Sequence, residues 1–267
     1  NVCVTTPTSS GKTLVYALQI AKQVNKRDGS TALLIYPTKA LSRDQKSELE
    51  DLYSELGIPT DIGVYDGDSS RDEKRRVRRE SDIVITNFQG LNYYLPHHRK
   101  WSRIYRNLST VVIDEAHTYG GVQGMHVAWI VRRLRRLVEN VYGSEPLFVL
   151  SSATIGNPEE HAKNIVGRDQ DFSIISKDGS PRGKRDVVIW NPPSYMDEDD
   201  DTLQRRSPHR ESTDILSFLA SRDLQSLMFA PSRKMTELCA KWSEETLESD
   251  YAGFFDVEPY NAGHKKD

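Results

Sequence analysis

Hydrophobic residues along the chain fall into two rhythms. Short apolar or β-branched runs, "NVCVTT" (1–6), "TALLIYP" (31–37), "DIVITN" (82–87), "STVVIDEAH" (109–117) and "LFVLSSAT" (147–154), have the length and residue preference of strands. Between them, "LVYALQIAKQVNK" (14–26) and "DQKSELEDLYSEL" (44–56) space their apolar residues three and four apart, which makes the stripe of an amphipathic helix. Val127, Ile130, Val131, Leu134 and Leu137 repeat that spacing and predict a third, core-facing helix. Strand and helix in alternation predict an α/β fold with a parallel sheet covered on both faces. The unbroken Val111, Val112 and Ile113 suit a strand buried on both sides. In such sheets ligands lie beyond the carboxyl ends of the strands, so the residues that follow each run carry the chemistry.

From Asp178 the pattern loosens into "DGSPRGKRDVVIWNPPSYMDEDDDTLQRRSPHR", rich in proline, glycine and charge. This predicts a first domain over 1–177, then an edge strand at Val187–Trp190 and an acidic interdomain linker within 178–210. The start of a second, incomplete domain follows over 211–267, with "QSLMFA" (225–230) as a strand between two helices. The acids from Asp197 to Asp201 lack the glycine-punctuated spacing of a calcium loop and read as a solvated, self-repelling tether.

Composition narrows the class without naming it. Hydrophobic residues make 37% and charged residues 28% of 267 residues, a globular balance, and 36 basic against 39 acidic residues leave a net charge of −3. A polyanion-binding surface must therefore be local. Arg71, Lys74, Arg75, Arg76, Arg78 and Arg79 form one basic cluster, and Arg132, Arg133, Arg135 and Arg136 form another on the core-facing helix; both read first as solvated faces. No apolar run approaches the roughly 18 residues that span a bilayer. Cys3 and Cys239 stand far apart, without zinc-site spacing. The expectation is a soluble protein of a reducing compartment: the cytoplasm, in association with the nucleoid, or the nucleus of a eukaryote. His97, His98 and His126 lack metal-ligand spacing and read as structural.

Two strand ends carry the chemistry. "TPTSSGKT" (6–13) follows the first strand and enters a helix, the arrangement of a phosphate-binding loop, although Thr6 stands where the first glycine is usual. Pro7 biases Thr6 toward an extended conformation and can take over that turn. Thr8, Ser9, Ser10, Gly11, Lys12 and Thr13 are then the nucleotide cradle, with Lys12 on the β and γ phosphates of ATP and the Thr13 hydroxyl on Mg²⁺. "VVIDEAH" (111–117) places two neighbouring carboxylates at another strand end: Asp114 to hold Mg²⁺ and Glu115 to orient and deprotonate the attacking water.

In order, "TPTSSGKT", "YPTKALSRDQ", "VIDEAH", "SSAT" and "LMFAPSR" resemble the motifs of superfamily 2 helicases of the DEAD/DEAH-box kind. "LPHHRKWSRIYRNLSTVVIDEAHTYGGVQGMHVAWIVRRLRRL" and "DGSPRGKRDVVIWNPP" are similar to the mitomycin-repair-factor type of repair helicase, whose full chains end in a zinc-binding domain. The resemblance implies a RecA-like first domain and the beginning of a second, with 3′-to-5′ translocation on single-stranded DNA or a 3′-tailed duplex. It implies nucleic-acid contacts at Pro37, Thr38 and Lys39, at Thr86 and Asn87, and at Ser232 and Arg233. His117, Ser152 and Thr154 would couple the nucleotide site to that path. It also puts the adenine-reading element before Asn1 and the arginine finger after Asp267. Gly120, Gln123 and Met125 depart from it, where arginine, phenylalanine and serine are expected. An RNA-dependent helicase would use the same motifs, and a nucleotide-dependent switch or scaffold without translocation is the other alternative.

Overall fold

The computed structural model describes residues 1–7, 10–26, 29–181, 183–196, 203–251 and 255–260. They divide into two units, Asn1–Arg182 and Gly183–Asp267.

In the first unit, strands and helices alternate as β1 (Val2–Thr5), α1 (Lys12–Lys26), β2 (Thr31–Ile35), α2 (Lys39–Glu55), β3 (Ile62–Val64), α3 (Arg71–Glu80) and β4 (Ile83–Thr86). They continue through α4 (Phe88–Tyr94), α5 (Ser102–Arg106), β5 (Leu108–Ile113), α6 (Gly121–Asn140), β6 (Leu147–Ser152), α7 (Pro158–Val166) and β7 (Ser173–Ile175). The seven strands form one sheet in the order β3-β4-β2-β5-β6-β1-β7, with every pairing parallel.

Alternating side chains of each central strand feed two separate cores, because successive residues point to opposite faces. Leu33, Ile35, Val111 and Ile113 join Leu91, Val131 and Ile165 on the face covered by α4, α6 and α7. Ala32, Leu34, Val112 and Val149 join Tyr16, Ile20 and Leu49 on the face covered by α1 and α2. Burying each large aliphatic side chain stabilises the fold by roughly 1.5–3 kcal/mol. This two-sided burial is why the runs read as continuous hydrophobics and not as alternating ones.

Register fixes the carboxyl edge. Ile113 of β5 pairs with Ile35 of β2 and Leu150 of β6, which brings Asp114 level with Ser151, and Thr5 of β1 pairs with Ser152. The ends of β5, β6 and β1 thus lie side by side, with β6 between the acidic pair and the loop leaving β1.

The second unit contains the antiparallel ribbon β8 (Ser194–Met196) with β9 (Leu203–Arg205), and the helices α8 (Pro208–Ala220) and α9 (Arg233–Asp250), which pack on each other. Two sequence expectations are corrected here. Neither Val187–Trp190 nor 225–230 forms a strand, and Ile189 and Phe229 are 95% and 88% exposed. Apolar, β-branched composition favours a strand only when a neighbouring chain supplies the ladder, and no described residue does so for either run. The tether reading of Asp197–Asp201 lies outside the described residues. Instead of a plain linker, that stretch is flanked by the paired strands of the ribbon.

Candidate functional site

The loop between β1 and α1 is held by its own polar groups. The Thr6 and Ser10 hydroxyls share a hydrogen bond of 2.6 Å, and Thr6 is buried. A hydroxyl cross-link therefore stands where a first glycine would relieve the turn. Lys12 Nζ donates to the carbonyl oxygens of Thr6 at 3.0 Å and Pro7 at 2.9 Å, spanning the loop from inside. Gly11 has φ +76° with nothing within 4 Å of a built Cβ, so glycine is needed there for backbone conformation and not for space. Thr8 and Ser9 lie outside the described residues.

Thr13 Oγ1 donates to Gln45 Oε1 at 3.2 Å, and Gln45 Nε2 donates to Glu48 Oε2 at 2.6 Å. The Tyr16 hydroxyl approaches the same Gln45 oxygen at 3.3 Å and the Tyr36 hydroxyl at 2.9 Å. Gln45 is thus the residue that positions Thr13. Its only signal in the sequence was its place in "YPTKALSRDQ", three residues before Glu48 on the predicted second helix.

Asp114 is buried, and burial pushes its carboxyl above the ordinary 3.8; the Ser151 hydroxyl, the Glu115 amide, Lys12 and His117 oppose that shift more weakly. Ser151 Oγ faces this carboxyl without completing a hydrogen bond of normal geometry. Glu115 adopts the left-handed conformation, φ 48° and ψ 44°, at a strand end where a side chain pays roughly 1–3 kcal/mol for it. A tight turn holds it there: Thr118 N and Thr118 Oγ1 donate to the Glu115 carbonyl at 2.9 and 2.8 Å.

Loop and acids line one cleft of about 480 Å³ that includes Ser10, Gly11, Lys12, Thr13, Asp114 and Glu115, with Gln45, Glu48 and Ser151 completing its polar wall. His117 Nδ1 lies 3.2 Å from Glu115 Oε2 and accepts from Ala153 N at 3.3 Å. One nitrogen cannot serve both: without a proton Nδ1 accepts from Ala153 N, and with one, in either the neutral Nδ1–H tautomer or the cation, it donates to Glu115. Ser152 is buried with its hydroxyl on the Ala153 carbonyl, and Thr154 is exposed.

The residues expected at nucleic acid are more dispersed. Thr38 caps α2 and Asn87 caps α4, each accepting from the amide three residues on. Lys39 is exposed and paired with Asp68 at 2.8 Å. Thr86 is buried, and its hydroxyl donates to the Tyr65 carbonyl beside the turn that carries Asn87. Ser232 caps α9 of the second unit, and Arg233 beside it is exposed. Among the basic clusters, Arg76 pairs with Asp61, Arg78 reaches the Tyr65 hydroxyl, and Arg135 ties α6 to Val166 and Asp169. No cluster with metal-ligand composition occurs among the described residues, and no helix there is long and apolar enough to cross a membrane.

A lysine-bearing loop between strand and helix, two strands from an acidic pair in a wholly parallel sheet, defines a RecA-like P-loop nucleotide-binding fold. The chain belongs to the DEAD/DEAH box helicase family, whose pattern matches residues 1–161. It is 37% identical over 265 residues to the uncharacterized ATP-dependent helicase YprA of Bacillus subtilis, covering 99% of this chain and 34% of YprA. With the ATP-dependent helicase hrq1 of Schizosaccharomyces pombe it shares 34% over 269 residues, covering 99% of this chain and 25% of that one. The crystal structure of the DUF1998 helicase MrfA bound to DNA and AMPPNP superposes with a TM-score of 0.83 at 37% identity, covering 94% of this chain and 34% of MrfA. The chain thus spans about a third or less of the length of these relatives.

Proposed function

We propose that this chain carries the ATP-binding part of an ATP-dependent helicase or translocase that acts on DNA, moves 3′-to-5′ and serves DNA repair. Convergence of Lys12, Thr13, Asp114 and Glu115 on one cleft carries the reading. The DNA assignment is supported by the similarity to MrfA, whose crystal structure contains DNA. On this reading the protein works where the DNA is, at the nucleoid or in the nucleus.

The donor set fits Mg²⁺: a hydroxyl on Thr13 and a carboxyl on Asp114, both oxygen ligands, with the burial of Asp114 disfavouring its charge until a cation is beside it. When bound, Mg²⁺ neutralises charge on the β and γ phosphate oxygens. Lys12 exchanges the carbonyls of Thr6 and Pro7 for phosphate oxygens, and the amides of Ser10 to Thr13 complete the cradle. Gln45 orients the Thr13 hydroxyl. Glu115, fixed by its left-handed turn, orients the attacking water and takes its proton. His117, poised between Glu115 and the Ala153 amide, links the state of that carboxylate to the segment bearing Ser152 and Thr154.

Pro37, Thr38, Lys39 and Asn87 take the sugar-phosphate backbone, and Ser232 and Arg233 offer a second grip from the other unit. Backbone contacts are blind to sequence, as a motor requires. The test is ATP hydrolysis by the full-length protein with and without single-stranded DNA or RNA. The reading predicts stimulation by DNA. Stimulation by RNA alone would make it an RNA-dependent helicase, and indifference to both would leave a nucleotide switch.

A further inference from the structure

Next to the Pro37 turn, on the sheet face opposite α1 and α2, a groove of about 520 Å³ runs between α4 and α6. Its floor is aromatic: Phe88 and Tyr119 meet edge to face, with centroids 4.9 Å apart. Its outer wall is Trp129, 64% exposed, with the Arg132 guanidinium 5.5 Å from the ring centre. Trp129 shares an exposed apolar stripe of α6 with Val122 and Met125, which packing leaves unexplained, since Val127, Val131 and Leu134 already seat the helix. Tyr119 lines the groove with its ring, while its hydroxyl is buried near Thr118, Asp114 and Glu115.

Charge and position indicate what fits. No carboxylate lines the groove, and Arg133 stands at its mouth, donating to Asn92 Oδ1. Side-chain amides of Gln89, Asn92 and Gln123, with His126, place donors and acceptors around an apolar slot of a volume typical of small-molecule sites. Aromatic faces, arginines and amides without acids are the chemistry that stacks and reads the bases of a single strand. The groove is also continuous with the proposed backbone contacts: Pro37 is part of its lining, and Phe88 directly follows Asn87.

We propose that the α4–α6 groove receives one nucleobase of the bound strand, unstacked from its neighbours and laid against Trp129, with its edge met by the amide rim. This rests on the nucleic-acid reading above and adds a contact that senses the base to contacts that do not.

Binding is measured by fluorescence anisotropy of the full-length protein with a labelled oligothymidylate and with an abasic strand of equal length. Trp129→Ala is expected to weaken the thymidylate about tenfold, the size of one lost stacking contact, and to leave the abasic strand unchanged. Trp129→Phe should recover most of the loss. Lys39→Ala should weaken both strands alike. Equal effects of Trp129→Ala on both strands, or none on either, would overturn the proposal and assign the exposed indole to a protein partner. If Lys39→Ala changes neither strand, or neither strand binds wild type, the nucleic-acid reading itself fails, and the groove proposal with it.

Discussion

Gly11 and Gly57 share a backbone conformation but not a job, so alanine at each separates strain from function. Gly11 has φ +76° in the loop and Gly57 has φ +65° after α2, where its amide donates to the Ser54 carbonyl at 3.1 Å and Ile58 N closes on Tyr53 at 2.9 Å. At neither position would a Cβ meet any atom within 4 Å, so alanine brings no clash, only the left-handed penalty. That penalty is about 1–2 kcal/mol, and the stiffer unfolded chain returns roughly 0.4–1 kcal/mol. Each substitution should therefore cost about 1 kcal/mol, which in a body of this size lowers the melting temperature by roughly 2–4 °C. Nucleotide affinity should diverge: Gly11→Ala disturbs the amides beside Ser10 and Lys12, whereas Gly57→Ala leaves the cleft intact. Thermal melts and titration with a fluorescent ATP analogue measure the two effects. Matched losses of stability with unchanged nucleotide affinity in Gly11→Ala would refute the assignment of this loop as the cradle.

Other outcomes follow from the same geometry. A carboxyl raised by burial contributes stability below its unfolded value of 3.8 and loses it as pH rises through the folded value. Asp114→Asn should therefore melt higher than wild type at neutral pH without ligand, converge with it in acid, and lose the stabilisation that wild type gains from Mg²⁺ and ATP together. Asp169 runs the other way: the Arg135 guanidinium holds its carboxyl well below the usual range, so its contribution is present above 3.8 and lost as pH falls. Arg135→Ala, which also releases the Val166 carbonyl, should cost about 1 kcal/mol after solvent screening and flatten that acid limb, as read by urea unfolding at several pH values. Gln45→Ala should weaken Mg²⁺-dependent more than Mg²⁺-independent nucleotide binding, because it frees the Thr13 hydroxyl.

The central strands were legible because burial on both faces leaves no polar interruption: β1, β2, β4 and β6 fall within the predicted runs, and β5 starts one residue before its run, at Leu108. β3 and β7 were not, since each is three residues long and lies at an edge of the sheet, where Ser173 and Ile175 remain exposed. The opposite error arose in the second unit, where "VVIW" and "LMF" have strand composition without a ladder. At the cleft, Lys12, Thr13, Asp114 and Glu115 could be named from local motifs because each strand end presents its own residues. Gln45 could not be assigned its role, since a contact from α2 to Thr13 is a tertiary fact. Cys3 and Cys239 are both free and buried. The hydrogen bond from the Thr86 hydroxyl to the Tyr65 carbonyl is likewise a tertiary contact that the motif does not display.

The most direct test compares Mg²⁺-ATP binding and turnover in wild type, Lys12→Ala and Glu115→Gln of the full-length protein. Lys12→Ala should bind weakly, having lost the ammonium that replaces loop carbonyls with phosphate, while Glu115→Gln should bind like wild type and fail to hydrolyse. Equal loss of binding in both variants, or continued turnover in Glu115→Gln, would contradict the division of labour on which the account depends.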